Sequence, residues 1–136
     1  MSQTIKQPNP LNLGLWMAQA LLSVTFLYAG HVKLTSPPAA LDAMGWHWAL
    51  DVPPALIAFI GAMEILGAIG VVLPMATRIL PWLTALAAAG MVLLQLAAVA
   101  LHVSRGEYAA LWLNVILLAA AVFVVWGRTA KRPADV

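Results

Sequence analysis

Few residues in this chain can do chemistry, and the first of them is Glu64, set within the run Pro54-Ala-Leu-Ile-Ala-Phe-Ile-Gly-Ala-Met-Glu-Ile-Leu-Gly-Ala-Ile-Gly-Val-Val-Leu73. About 20 consecutive apolar residues are enough to cross a bilayer. An acidic group at the centre of such a helix costs about 2.5 to 3.5 kcal/mol on insertion scales, so Glu64 is expected to be protonated or to meet a partner inside a bundle. At roughly 100° per residue, Gly61, Gly67 and Ala68 flank it on one side of the helix. Small residues there let a neighbouring helix come close and turn the carboxyl inward. Two readings follow: a hydrogen bond that packs helices, or a site that handles a ligand or a proton.

Lys33 is the obvious counter-charge for Glu64. By helix rise it starts roughly 10 Å higher, so contact calls for tilt, a bridging water, or a relay through Tyr28 and His31. The alternative is that Lys33 snorkels to the headgroups. His31 and His102 lie toward the ends of two apolar segments, with His47 in a loop, which raises a bis-histidine haem b. Three histidines with no spacing motif leave the metal expectation at none. Cysteine is absent, which excludes thiol nucleophiles, dithiol relays, thiolate metal sites and disulfides. There is no glycine-rich phosphate loop, metalloprotease helix motif or nucleophile elbow.

The elements that must position these residues follow from composition. With 136 residues, 63% hydrophobic and 9% charged, the chain reads as an integral membrane protein of the all-α class, a membrane-spanning four-helix bundle. One such bundle uses the length, so any chemistry sits between helices, in loops or on a partner. The first apolar segment is too long for a cleavable signal. Seven basic residues spread over tails and loops make no patch for nucleic acid.

The expected order is a polar tail at 1–13, spans near 14–34, 54–73, 81–103 and 108–126 forming one domain over 14–127, and a basic tail at 128–136. Thr35-Ser-Pro-Pro38 stops the first span. The long connection at 35–53 carries Trp46-His47-Trp48 and predicts a short helix at the membrane surface. Pro53 and Pro54 open the second span, and Pro74-Met-Ala-Thr-Arg78 reads as a tight turn. Lys6, Arg78, Arg128, Lys131 and Arg132 share one face with both termini, against Lys33 and Arg105 on the other, which predicts cytoplasmic termini in a bacterial inner membrane. Trp16, Trp82 and Trp126 at one level and Trp46, Trp48 and Trp112 at the other fit two aromatic belts.

With those marks as interfaces, the midplane passes roughly through residues 26, 64, 92 and 116. Tyr28, His31 and Lys33 of span one, Gln95 of span three and Asn114 of span four then lie within about 10 Å of it on the outer side, with Glu64 as the floor. The inner half offers Gln19 and Thr84. This clustering predicts a polar cavity open to the outside, and the alternative is scattered helix-to-helix hydrogen bonding.

Phe26-Leu-Tyr-Ala-Gly-His-Val-Lys-Leu34 with Ser36-Pro37, followed by Ile60-Gly-Ala-Met-Glu-Ile-Leu-Gly-Ala68, resembles the DoxX family of small four-helix membrane proteins. The matching positions are Phe26, Gly30, Lys33, Glu64 and Gly67. The resemblance covers nearly the whole chain and implies a partnership of Lys33 with Glu64. Some relatives are membrane subunits of thiosulfate:quinone oxidoreductases, some join redox-stress complexes, and a distant animal group acts in receptor assembly. His31 and the Trp46-His47-Trp48 loop map onto no family role.

The leading expectation is a redox-associated membrane subunit, not a stand-alone enzyme. Its cavity would bind a quinone or another amphiphile, with Tyr28, His31, Gln95 and Asn114 orienting the head and Lys33 and Glu64 setting charge or passing a proton. Its expected partners are the lipid bilayer, a redox subunit and further copies of itself. A ligand-free assembly scaffold is the second class and a proton-coupled small exporter the third, although exporters of that build place the glutamate in helix one.

Overall fold

A computed structural model describes residues 9–131. The sequence readings for Lys6, Arg132 and most of both tails lie outside these residues. Within them the chain is all helical, and four of its segments, Pro10–Thr35, Pro54–Thr77, Trp82–Ser104 and Tyr108–Thr129, are long and apolar enough to cross a membrane. This is a multi-pass membrane architecture.

Helix α1 (Pro10–Thr35) begins earlier than the expected 14 because the Asn9 side chain accepts from the Leu11 amide and Pro10 occupies the first turn. Four residues read as tail, Asn12 among them, are thereby helical. The connection after α1 holds a short helix α2 (Pro38–Ala43) and a 3₁₀ turn (His47–Leu50), joined through Gly45 at φ 92°, which only glycine adopts freely. Leu41, Trp48 and Ala49 of this connection pack on Val32 and Ile57 and cap that end of the bundle, the loop end.

Helix α3 (Pro54–Gly70) carries Glu64. The stretch read as a tight turn at 74–78 is instead a short helix, α4 (Leu73–Thr77). Pro74 has no amide to continue α3, yet it suits the first turn of a new helix. The reversal comes afterwards, at Arg78 and Leu80, both with left-handed φ values of 60° and 49°. Helix α5 (Trp82–Ser104) runs back to the loop end, and a 3₁₀ turn at Tyr108–Ala110 leads into α6 (Leu111–Thr129).

The four long helices pack as a ring, α1 on α3, α3 on α5, α5 on α6 and α6 on α1, so that α1 and α5 occupy opposite corners. Leu22, Phe26, Ala68, Met91, Leu117 and Val124 fill the middle. The start of α1 and the finish of α6 meet at the same end of the bundle, the termini end, where Arg128 bonds to Asn12.

Candidate functional site

The site begins where α1 and α3 cross. A Cβ on Gly30 would lie 2.6 Å from the Gly61 carbonyl oxygen and 3.1 Å from Glu64 Cβ, and a Cβ on Gly61 would lie 3.0 Å from Lys33 Cβ. Glycine at both positions therefore brings the two backbones together, with Lys33 three residues beyond one and Glu64 three residues beyond the other. Each Cα–Cβ bond in a helix tilts toward that helix's N-terminus. Because α1 and α3 run in opposite directions, Lys33 leans away from the loop end while Glu64 leans toward it. That convergence closes the gap that helix rise alone left open.

Lys33 Nζ donates to Glu64 Oε1 at 2.9 Å and to Oε2 at 2.8 Å, with the two side chains only 8% and 12% exposed. The ammonium also lies 4.5 Å from the ring centroid of Trp46, which places the loop over the pair. No water bridge or relay through Tyr28 and His31 is needed. Two buried charges thus neutralise each other, which leaves a dipole and no net charge.

The six residues expected around one cavity divide into three groups. Lys33 and Glu64 are in contact. Gln95 is buried on α5 at roughly the depth of Glu64, and Asn114 is half-buried on α6 nearer the loop end. Tyr28 is 63% exposed and His31 is exposed as well, both on the outer face of α1. At about 100° per residue His31 points some 160° away from Lys33, so shared depth did not mean a shared chamber. His31 faces outward and His102 belongs to the helix at the opposite corner, so the structure does not bring these two histidines together. Among the described residues no group of three or more His, Asp and Glu side chains is placed to hold a metal.

Two buried side-chain atoms in the loop-end half of the bundle, on the two helices away from this crossing, have no hydrogen-bond partner among the described residues, Gln95 Oε1 and Asn114 Nδ2. One is an acceptor and the other a donor. A third, Thr84 Oγ1, lies on the first turn of α5 at the other end.

A network on the loops completes the loop end. Arg105 donates to Asp51 Oδ2 at 2.5 Å and to Glu107 Oε1 at 2.7 Å, while His102 Nδ1 donates to Glu107 Oε2 at 2.8 Å. The Arg105 guanidinium first, and the His102 ring after it, hold the Glu107 carboxyl below its ordinary value. His47 and Asp42 clasp the first loop at 2.6 Å.

The family model described as the DoxX-like family matches residues 17–124. The chain belongs to the DoxX-like family. Searches of the curated proteins and of the solved structures each returned no match. The matched region contains Gly30, Lys33, Gly61, Glu64, Gln95 and Asn114, all the parts of the crossing and both unpartnered amides.

This DoxX-like chain also holds a second polar cluster, at the termini end, which the sequence reading passed over. Arg128 Nε and Nη2 donate to Gln19 Oε1 at 2.9 and 2.6 Å, and Nη1 donates to Asn12 Oδ1 at 3.0 Å. Gln19 in turn donates to the Val71 carbonyl at 2.7 Å. The guanidinium lies 5.4 Å from the Trp16 ring centroid. Gly127 makes room for this, because a Cβ there would meet the Leu15 side chain and force it to shift. The available signal was Gln19 itself, an amide in an apolar run that needs a partner, and Arg128 inside the last helical turn.

Proposed function

We propose that this DoxX-like protein binds the head of a neutral amphiphile, a quinone or quinol, in the loop-end half of its bundle, as the small membrane subunit of a redox assembly. The termini would face the cytoplasm of a bacterial inner membrane, as the distribution of Lys and Arg argues. The observation that carries the reading is the pair of unsatisfied buried atoms, Gln95 Oε1 and Asn114 Nδ2. A buried polar atom without a partner costs about 1 to 3 kcal/mol, a cost that a bound head removes. A quinone carbonyl accepts from the Asn114 amide, and a quinol hydroxyl donates to Gln95. In the same half of the bundle Lys33 and Glu64 already satisfy each other, which favours a neutral head over a charged one. The chain offers no cysteine and hence no thiol relay of its own, and in this reading electrons would pass between the quinone and a partner subunit.

The test uses the full chain purified in mild detergent, with solvent extraction and chromatography for quinones and a titration with a short-chain quinone. Gln95→Leu and Asn114→Leu should each weaken binding about tenfold, the loss of one hydrogen bond, while leaving the empty protein as stable as before or more so. A protein that carries no quinone, ignores added quinone and shows no such exchange of binding for stability overturns the proposal.

A second reading, an assembly scaffold without a ligand, is favoured by the glycine crossing and the self-satisfied Lys33 and Glu64 pair. It places the function on the outer face of α1, where Tyr28 and His31 would meet a partner. In that case Glu64→Gln lowers thermal stability and no quinone assay has a signal to lose.

A further inference from the structure

We propose that the cavity at the termini end binds the phosphate group of an anionic phospholipid. This site is separate from the quinone reading and lies at the other end of the bundle. The cavity has a volume of about 540 Å³, with Arg78, Arg128 and Lys131 supplying cations and Trp16 and Trp82 supplying apolar walls. Its place at the ends of the long helices is the depth at which headgroups meet a spanning bundle.

Charge accounting leads to an anion. Among the described residues all four carboxylates, Asp42, Asp51, Glu64 and Glu107, lie in the loop-end half and each contacts a basic side chain there. None reaches the three cations of the cavity. Arg128 is half-buried and its hydrogen-bond acceptors, Gln19 and Asn12, are both neutral. These bonds fix the plane of the guanidinium and use three of its five N–H groups, leaving two for a further acceptor. A planar fork held in place, with spare donors and no counter-charge among the described residues, suits a phosphate. Arg78, carried on the left-handed turn between α4 and α5, and Lys131, over the Trp126 ring at 5.0 Å, add charge from two other sides.

The walls identify the source of the phosphate. Trp16, Trp82, Met75 and Pro81 give half of the lining to apolar surface, which a free inorganic anion would leave unused and a glycerolipid would cover.

The experiment is native mass spectrometry of the full chain in neutral detergent, with added phosphatidylglycerol, phosphatidylcholine, or inorganic phosphate. Phosphatidylglycerol should be retained in preference to phosphatidylcholine, and inorganic phosphate should not displace it. Among the described residues Arg78 makes no hydrogen bond and Lys131 only lies over Trp126, so Arg78→Gln with Lys131→Gln leaves the bonds of the fold intact. Each cation removed should lower retention about fivefold. Arg128→Lys, which keeps the charge and loses the fork, should lower it further than charge alone accounts for. Equal retention of the two lipids, retention unchanged in the double variant, or displacement by inorganic phosphate at matched concentration would each overturn the proposal.

Discussion

The two ends of this bundle handle charge in opposite ways. At the loop end every described carboxylate touches a basic side chain, from Lys33 with Glu64 beneath Trp46 to Arg105 between Asp51 and Glu107. At the termini end Arg78, Arg128 and Lys131 line a cavity that no described carboxylate enters. A matched set of charges holds helices and loops in register, whereas the cations of the cavity meet no carboxylate among the described residues. Polar residues in a membrane bundle thus divide by partner rather than by type. Those paired with an opposite charge hold the fold, while the unpartnered amide atoms of the loop end and the unmatched cations of the termini end are where the two proposed ligands would bind.

The largest expected effect breaks the matched end. Glu64→Gln leaves the Lys33 ammonium buried without a counter-charge and should cost about 3 to 5 kcal/mol, read as a large fall in melting temperature in detergent. Replacing both partners, Lys33→Met with Glu64→Leu, should recover most of the loss, because a buried ion pair exchanged for apolar side chains is often neutral. Arg128→Gln removes a cation that had no counter-charge among the described residues, so its cost should be smaller, about 1.5 to 3 kcal/mol for charged hydrogen bonds. If the Arg128 variant proves the less stable of the two single variants, the contrast between the ends fails.

A smaller effect sharpens the comparison through glycine. Gly30→Ala sets a Cβ against the Gly61 carbonyl, a backbone atom that cannot turn aside, and should cost about 1 to 3 kcal/mol as α1 and α3 separate. Gly127→Ala meets the side chain of Leu15, whose end carbons can rotate, and alanine gains up to about 1 kcal/mol in helix propensity over glycine. Its net cost should be the lesser, measured by thermal melting of both variants. The Gly30 variant should also lose the Lys33 and Glu64 contact, since the pair depends on the close crossing.

Much of the fold was legible because it is written in runs of apolar residues with proline and tryptophan at their ends. Four spans, their order and the helical first loop all follow from that writing. The bounds slipped where capping overrode composition, as at Asn9 and Pro10, or where Pro74 starts a helix rather than a turn. The site was legible in depth and not in direction. Lipid is as apolar as the core, so an α-helix in a bilayer carries little contrast between its inner and outer faces, and Tyr28 and His31 were grouped with Lys33 although α1 turns them outward. The pairing of Lys33 with Glu64 needed the tilt of the Cβ atoms on antiparallel helices, which residue counting does not contain. The Arg128 cluster was missed because a basic residue after the last tryptophan reads as tail, and only the close pass of Gly127 over Leu15 brings it back to Gln19.

The smallest expected effect is a dependence on pH confined to one end. Glu107 is held below its ordinary value of 4.5, by Arg105 first and His102 second. The unfolded chain therefore takes up a proton at Glu107 at a higher pH than the folded protein does. Stability from this group is complete above 4.5 and is lost as pH falls through the lower folded value. Melting temperatures measured between about pH 6 and pH 3 should decline over the acid part of that range, and Arg105→Gln should flatten the decline because it removes the main cause of the shift. Arg78→Gln serves as the counterpart from the other end, where no described carboxylate is present to take up the proton, and should leave the acid slope as in the parent. An acid slope that responds to Arg78 as strongly as to Arg105 would place a titrating carboxylate beside the cavity, and the two ends would no longer differ in kind.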